Sequence, residues 1–332
     1  MESNPTMKIF TRREILRGAA GLTGGALAAR FHPAALVHAA TPGLPQQKSA
    51  PDPVAAMRAQ FGGAPIQTQK LTDSLTLLSG PGGNVVVLNG ADGKLMGDTF
   101  VQPAWPHLKE ALDAIGKSPV KTAINTHWHF DHSDNNASLR AAGAAIVAHV
   151  NTKKRMSETH TLAVLNLTFA PSPAEALPQQ TFQESHKIMM NGETMSLVHV
   201  PPAHTDSDIY IHFEKGNVLQ SGDIFFNRMF PYIDDGTGGS VSGMIAGATK
   251  LLALADNNTK IVPGHGPLGN KADLMKYRDM LTTARERLQK LKSSGKSADQ
   301  AVAAKPLDDL NAIWGKGLFN SDAFIQIAYP AL

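Results

Sequence analysis

"INTHWHFDHSDNN", residues 124–136, sets three histidines and two aspartates in one short stretch. In an extended segment, side chains alternate and residues two apart lie roughly 6.6 Å apart at Cα. His127 and His129 then point to one side, close enough to converge on one cation. Asp131 continues that phase. His132 is out of phase and reaches the same cavity only if the chain turns, so a strand ending in a turn at 131–132 is expected. The result is two ligand pairs, which suits two neighbouring metals better than one. Trp128 and Phe130 are expected to face away, as packing.

Three later positions extend the pattern. "PPAHTDSD" carries His204, "QSGDIFF" carries Asp223 and "VPGHGP" carries His265, each directly after a β segment. A single loop histidine is usually incidental; together with the first motif these three form a set. The chain has no cysteine, so any metal site uses nitrogen and oxygen donors alone. Zinc fits such donors, and iron or manganese also would.

The surrounding sequence supplies a frame. Apolar–polar alternation broken by Gly and Asn in residues 66–80 and 84–100 reads as strands and hairpins. Residues 106–117 read as a helix, 120–124 as a short buried strand, and 136–156 as helix, strand, helix. Residues 158–184, with three prolines, are expected to be a long loop covering a site. Strands follow at 193–200, 207–214 and 216–223. Ser242 can cap a helix to residue 256, and the strand 259–262 runs into "PGHGP". Residues 271–292 place Leu274, Tyr277, Leu281, Ala284, Leu288 and Leu291 at helical spacing. Ser297 and Gln300 make a capping-box pattern. Residues 305–329, with four aromatics, are expected to pack on the main domain. Two halves of strands followed by helices predict an α/β, four-layer αββα sandwich. His149, His199 and His212 read as core or surface residues, and Lys153, Lys154 and Arg155 as a solvated helix face.

These motifs resemble those of the metallo-β-lactamase-fold hydrolases. The HxHxDH signature is matched by His127, His129, Asp131 and His132, the later histidines by His204 and His265, and a bridging acid by Asp223. The resemblance covers about residues 66–270, leaving 271–332 as a helical C-terminal extension. It implies one metal on His127, His129 and His204, another on Asp131, His132 and His265, and Asp223 between them. Two such cations, ~3.5–4 Å apart, would lower the pKa of a shared water toward ~7, and the resulting hydroxide would attack a substrate carbonyl. Asp131 is the expected residue to orient this nucleophile and carry its proton. Many members continue the motif with two glycines where this chain has Asp134 and Asn135. Asn tolerates left-handed backbone, so the turn survives; Asp134 reads as a solvated loop residue or an extra supporting acid. Asp98 in "LMGDTF" reads either as support for a ligand or as a strand-end turn.

The expected activity is a binuclear zinc hydrolase opening or cleaving a lactone, ester, thioester or β-lactam. An iron-dependent oxygenase on the same fold and a non-catalytic metal-binding protein are the alternatives. Phe226, three residues after Asp223, stands where some β-lactamases hold a lysine and some acyl-homoserine lactonases a tyrosine. A phenylalanine there resembles glyoxalase II, but the basic residues that would bind glutathione are not found. Phe226 and Arg228 are the candidate substrate contacts.

The N-terminus reads as an export tag. Arg12 and Arg13 precede an uncharged stretch from Gly18 to Ala29, and "LVHAA" offers a cleavage site after Ala39. This looks like a twin-arginine signal over residues 1–39, with a Pro/Gly/Ala-rich linker at 40–65 carrying one short helix, and it places the mature protein in the periplasm. Residues 1–39 carry five basic and two acidic residues, which accounts for the +3 net charge of the whole chain. The mature protein is therefore near neutral. Its expected partner is a small-molecule substrate, with no nucleic acid and no stable membrane anchor; oligomeric state is left open.

Overall fold

The computed structural model describes residues 52–332. Residues 1–39, expected to be an export signal, and the first part of the expected linker lie outside the described residues. The rest of the linker is ordered: Asp52 caps a helix α1, Pro53–Gly62. Arg58 of this helix makes a two-pronged ion pair with Asp134, at 2.7 and 2.8 Å.

Two sheets face each other. The first runs as an antiparallel meander through β1 (Gln67–Lys70), β2 (Leu75–Gly80), β3 (Gly83–Gly90) and β4 (Gly93–Gly97). It continues in parallel with β5 (Val120–Ile124) and β6 (Ala145–His149). The stretch expected as a loop is instead β-structured. β7 (His160–Leu162) and β8 (Leu167–Phe169) form a separate hairpin, and β9 (Gln180–Phe182) adds to the parallel edge beside β6. Its three prolines fall outside these strands, so they delimit the strands rather than forbid them.

The second sheet holds β10 (Ser185–Met190), β11 (Glu193–His199), β12 (Ile209–Phe213) and β13 (Val218–Gln220) antiparallel, with β14 (Lys260–Val262) parallel to β13. Period-two alternation sorts the side chains into layers. In β3, Val86 and Leu88 join Leu197, Ile211 and Phe213 between the sheets. Val85 and Val87 face outward onto α2 (Trp105–Ile115) through Leu108 and Leu112. Beyond the second sheet, Leu219 and Ile261 pack with Met244 and Leu251 of α3 (Val241–Leu254) and Leu281 of α4 (Lys271–Ser293). Helix, sheet, sheet, helix is the four-layer order expected.

The cap of α3 is Ser240, whose hydroxyl accepts from Gly243 N–H; Ser242 lies inside the helix. Asn270 caps α4, and the Ser297–Gln300 capping box forms as expected. C-terminal side chains, including Trp314, Phe324 and Tyr329, belong to the same core as α3 and α4. Phe324 stacks on Phe230 at 4.6 Å. No helix among the described residues is long and apolar enough to cross a membrane.

Candidate metal centre

β4, β5, β11, β13 and β14 deliver chain to one rim of the sandwich, and the chemistry-bearing residues sit just past their ends. The motif itself departs from the extended picture. β5 stops at Ile124, residues 125–129 are irregular, and Phe130–Ser133 form one helical turn beginning after His129. His127 and His129 therefore converge through a loop, and the helical turn carries both Asp131 and His132. Trp128 is buried against His160 and Phe169, and Phe130 stacks on Phe169 at 5.2 Å. Phe130 points away from the ligands, whereas the Trp128 ring also packs edge-on against His129, centroids 4.5 Å apart.

Two groups of candidate ligands form: His127, His129, His204 and Asp223, and Asp131, His132 and His265, with the ligand atoms of each group within 4.8 Å of one another. His204 Nε2 lies 2.8 Å from His129 Nδ1. In the second group, His265 Nε2 is 3.3 Å from Asp131 Oδ2 and 3.4 Å from His132 Nε2. Asp223 touches both groups. Its Oδ2 lies 3.3 Å from His204 Nε2 and 3.3 Å from His265 Nε2, and its Oδ1 lies 3.2 Å from His132 Nε2.

In four of the five histidines the remaining ring nitrogen is engaged from behind, as is usual for metal-ligating histidines. His132 Nδ1 faces Asp98 Oδ2 at 3.0 Å, His129 Nε2 faces Asp234 Oδ2 at 3.1 Å, and His204 Nδ1 donates to the Tyr232 carbonyl at 2.8 Å. His127 Nδ1 lies 3.1 Å from Thr126 Oγ1, whose hydroxyl donates to Asp98 at 2.9 Å. Asp98 thus supports a ligand while sitting in the left-handed turn at the end of β4, at φ 66°.

Whether a metal fits can be judged from atoms left over. His127 Nε2 and Asp223 Oδ1 are buried with no hydrogen-bond partner among the described residues. Such orphans are costly unless an ion takes them. Burial and the surrounding histidines hold His127 well below the usual histidine pKa, and burial brings His204 down to about 4. Both rings are neutral at pH 7, with lone pairs free to bind. Burial opposes a charge on Asp223, yet four histidines around it hold its carboxyl well below the usual range. Neutral His127 and His204 beside an ionised carboxylate are donors that fit a dinuclear site. Backbone shape makes room for it: a Cβ on Gly264 would overlap Asp223 Oδ1, and one on Gly82, at φ 98°, would lie 2.6 Å from Asp131 Cβ.

Other expected residues fall differently. Asp134 is neither solvated nor in contact with a ligand; it pairs with Arg58. Asn135 is not left-handed, at φ −87°. Its amide instead donates to the carbonyls of Thr99 and Val101, which ties the motif to the β4 loop. Arg155, expected on a solvated face, pairs with Asp206 at 2.7 Å and so tethers the His204 loop. Phe226 is 3% exposed and lies flat on His265, ring centroids 5.0 Å apart. Arg228 is exposed, at φ 63°, with no hydrogen bond or ion pair among the described residues. The sequence reading missed Asp234 and Thr126. "IDDGTGG" reads as an ordinary turn, and nothing local says that its first carboxylate folds back onto His129.

Solved structures share this architecture. A metallo-beta-lactamase from Pontibacter korlensis is 16% identical, with TM-score 0.56 over 65% of this chain and 99% of that one. The DIM-1 metallo-beta-lactamase is 16% identical, with TM-score 0.54 over 66% and 98%. The BLEG-1 B3 metallo-beta-lactamase is 23% identical, with TM-score 0.52 over 61% and 97%. No curated protein sequence matches the chain. The model of the metallo-beta-lactamase superfamily matches residues 78–265. That span is more than half of the chain and runs from β2 through the last candidate ligand, so this protein belongs to the metallo-beta-lactamase superfamily.

Proposed function

We propose that the protein is a two-zinc hydrolase that opens or cleaves a carbonyl substrate: a lactone, ester, thioester or β-lactam. The observation that carries this reading is one buried carboxylate, Asp223, shared by two ligand groups, the second of which stays partly open. Asp131 and His265 keep 13% and 15% side-chain exposure, whereas His127, His132 and His204 keep 1%. Divalent cations held there would acidify a bound water toward neutrality and polarise the substrate carbonyl.

The protein's own groups supply the rest. Asp131 stands at the open side with Oδ2 3.6 Å from His132 Nε2, placed to orient the attacking water and accept its proton. Phe226 braces His265 and offers substrate little more than a ring edge. Arg228, free of partners within the described residues, is available to an anionic group on the substrate. That the solved neighbours named above are metallo-beta-lactamases favours β-lactams as one substrate class to try. Export to the periplasm rests on the twin arginines and the cleavage motif alone.

The test is metal analysis of purified mature protein, followed by β-lactams, lactones, thioesters and phosphoesters on the same sample. About two zinc equivalents per chain and carbonyl hydrolysis are expected. Asp131→Ala and His204→Ala should each abolish turnover. Full activity in rigorously metal-free protein would overturn the reading.

A further inference from the structure

The loop from Tyr232 to Gly239 grips two candidate ligands of the first group and none of the second. Tyr232 O takes the Nδ1–H of His204, and Asp234 Oδ2 faces Nε2 of His129. Asp234 is 2% exposed. The same Oδ2 accepts from Thr237 Oγ1 at 2.6 Å, and Thr237 Oγ1 in turn accepts from Trp128 Nε1 at 3.4 Å. The backbone closes the loop onto the ligand it serves: Asp234 N–H donates to His204 O at 3.0 Å, and Gly239 N–H to Asp234 O at 2.8 Å. A Cβ on Gly239 would overlap the His204 carbonyl oxygen.

An imidazole can give only one lone pair to a metal while neutral, and the hydrogen bond at its other nitrogen decides which one. A carboxylate at Nε2 accepts but cannot donate, so Asp234 selects the Nε2–H tautomer of His129. The Nδ1 lone pair is left facing His204 Nε2. The other supporting carboxylate, Asp98, reaches both groups: it touches His132 directly and His127 through Thr126. Asp234 reaches one group only.

We propose that Asp234 is a positioning residue for one metal of the pair, fixing the tautomer and ring of His129 and setting the affinity of the His127–His129–His204 group independently of the other. This rests on the two-metal reading but not on any substrate.

Zinc titrated into chelator-stripped full-length protein, followed by calorimetry and a competing indicator, tests it. Asp234→Ala should weaken one of two affinities by about 10–100-fold and leave the other within about twofold. Asp234→Asn, whose amide oxygen still accepts from Nε2–H, should restore most of the loss. In nitrogen-15 histidine spectra of the stripped protein, the Nε2–H signal of His129 should be present in wild type and lost in Asp234→Ala. Should Asp234→Ala fail to fold, Thr237→Val removes only the hydroxyl beneath Asp234 and should show a smaller loss at the same site. Unchanged binding of both zinc ions, or an equal fall in both affinities, would overturn the proposal. A wild-type protein that takes up fewer than two zinc ions would overturn the two-metal reading itself.

Discussion

Asp98 shows how much one side chain can hold at this site. Its Oδ1 accepts from Thr126 N–H at 2.7 Å, and its Oδ2 faces Thr126 Oγ1, His132 Nδ1 and Gln220 Nε2 at 2.9, 3.0 and 3.3 Å. All of these groups are buried. Removing the carboxylate leaves several buried donors without an acceptor, a costlier change than losing the bonds alone. Asp98→Ala should lose about 3–5 kcal/mol of stability, read by urea unfolding in excess chelator so that metal loss does not contribute. Asp98→Asn should lose less. Because Asp98 reaches His127 as well as His132, Asp98→Ala should weaken both zinc affinities. A loss confined to one of them would mean that Thr126 orients His127 unaided.

At the scale of elements, the motif turn is held from outside by a helix that sequence reading placed in a linker. Arg58 of α1 grips Asp134 just past the turn and also lies over Phe130 and Phe169, 5.7 and 5.9 Å from the ring centroids. The guanidinium is about one-third exposed, so solvent screens part of the pair's strength. The two-pronged geometry favours a coupling of about 1–2 kcal/mol. A double-mutant cycle of Arg58→Ala and Asp134→Ala, read by thermal unfolding, measures it; additive losses would show that the contact is incidental. The sequence carried the ligands and the layers because both rest on local signals: a dense HxHxDH run, and strands with both faces apolar. It did not carry Arg58–Asp134, Arg155–Asp206 or His129–Asp234. Each of these joins segments tens of residues apart through one polar contact, which leaves no periodicity. The helical turn at 130–133 was hidden for another reason: both an extended strand and a loop-plus-turn bring His127 and His129 to one cation. Residues 158–184 were obscured by prolines lying between very short strands.

Across the whole molecule, the seven candidate ligands come from segments spanning most of the sandwich, from the β5 loop to the β14 loop. Unfolding disperses them, so an ion that binds the native site alone stabilises the entire fold. At a free concentration a thousand times its dissociation constant, the gain is about 4 kcal/mol, which in a domain of this size raises Tm by about 7 °C. The gain should depend on pH in a defined direction. In the metal-free protein, burial opposes a charge on His265, but Asp223 and Asp131 outweigh it and push its pKa up to about 9; the same carboxylates with Asp98 hold His132 well above its usual value. A raised histidine pKa means that the native state binds the extra proton. The stability it contributes is full below about pH 6.5 and is lost as pH rises through about 9. His127 and His204, held low, are already neutral across this window and contribute nothing to the slope. Metal binding requires the Nε2 lone pairs of His132 and His265, so those protons must leave, and binding strengthens as pH rises. The metal-free protein should therefore lose Tm between about pH 7 and pH 9 while the zinc-loaded protein holds or gains, so the difference between them widens. Thermal unfolding with excess zinc or excess chelator at each pH measures that difference. A gap that stays constant would show that His132 and His265 carry no proton when the site is stripped, and that Asp223 is neutralised in some other way.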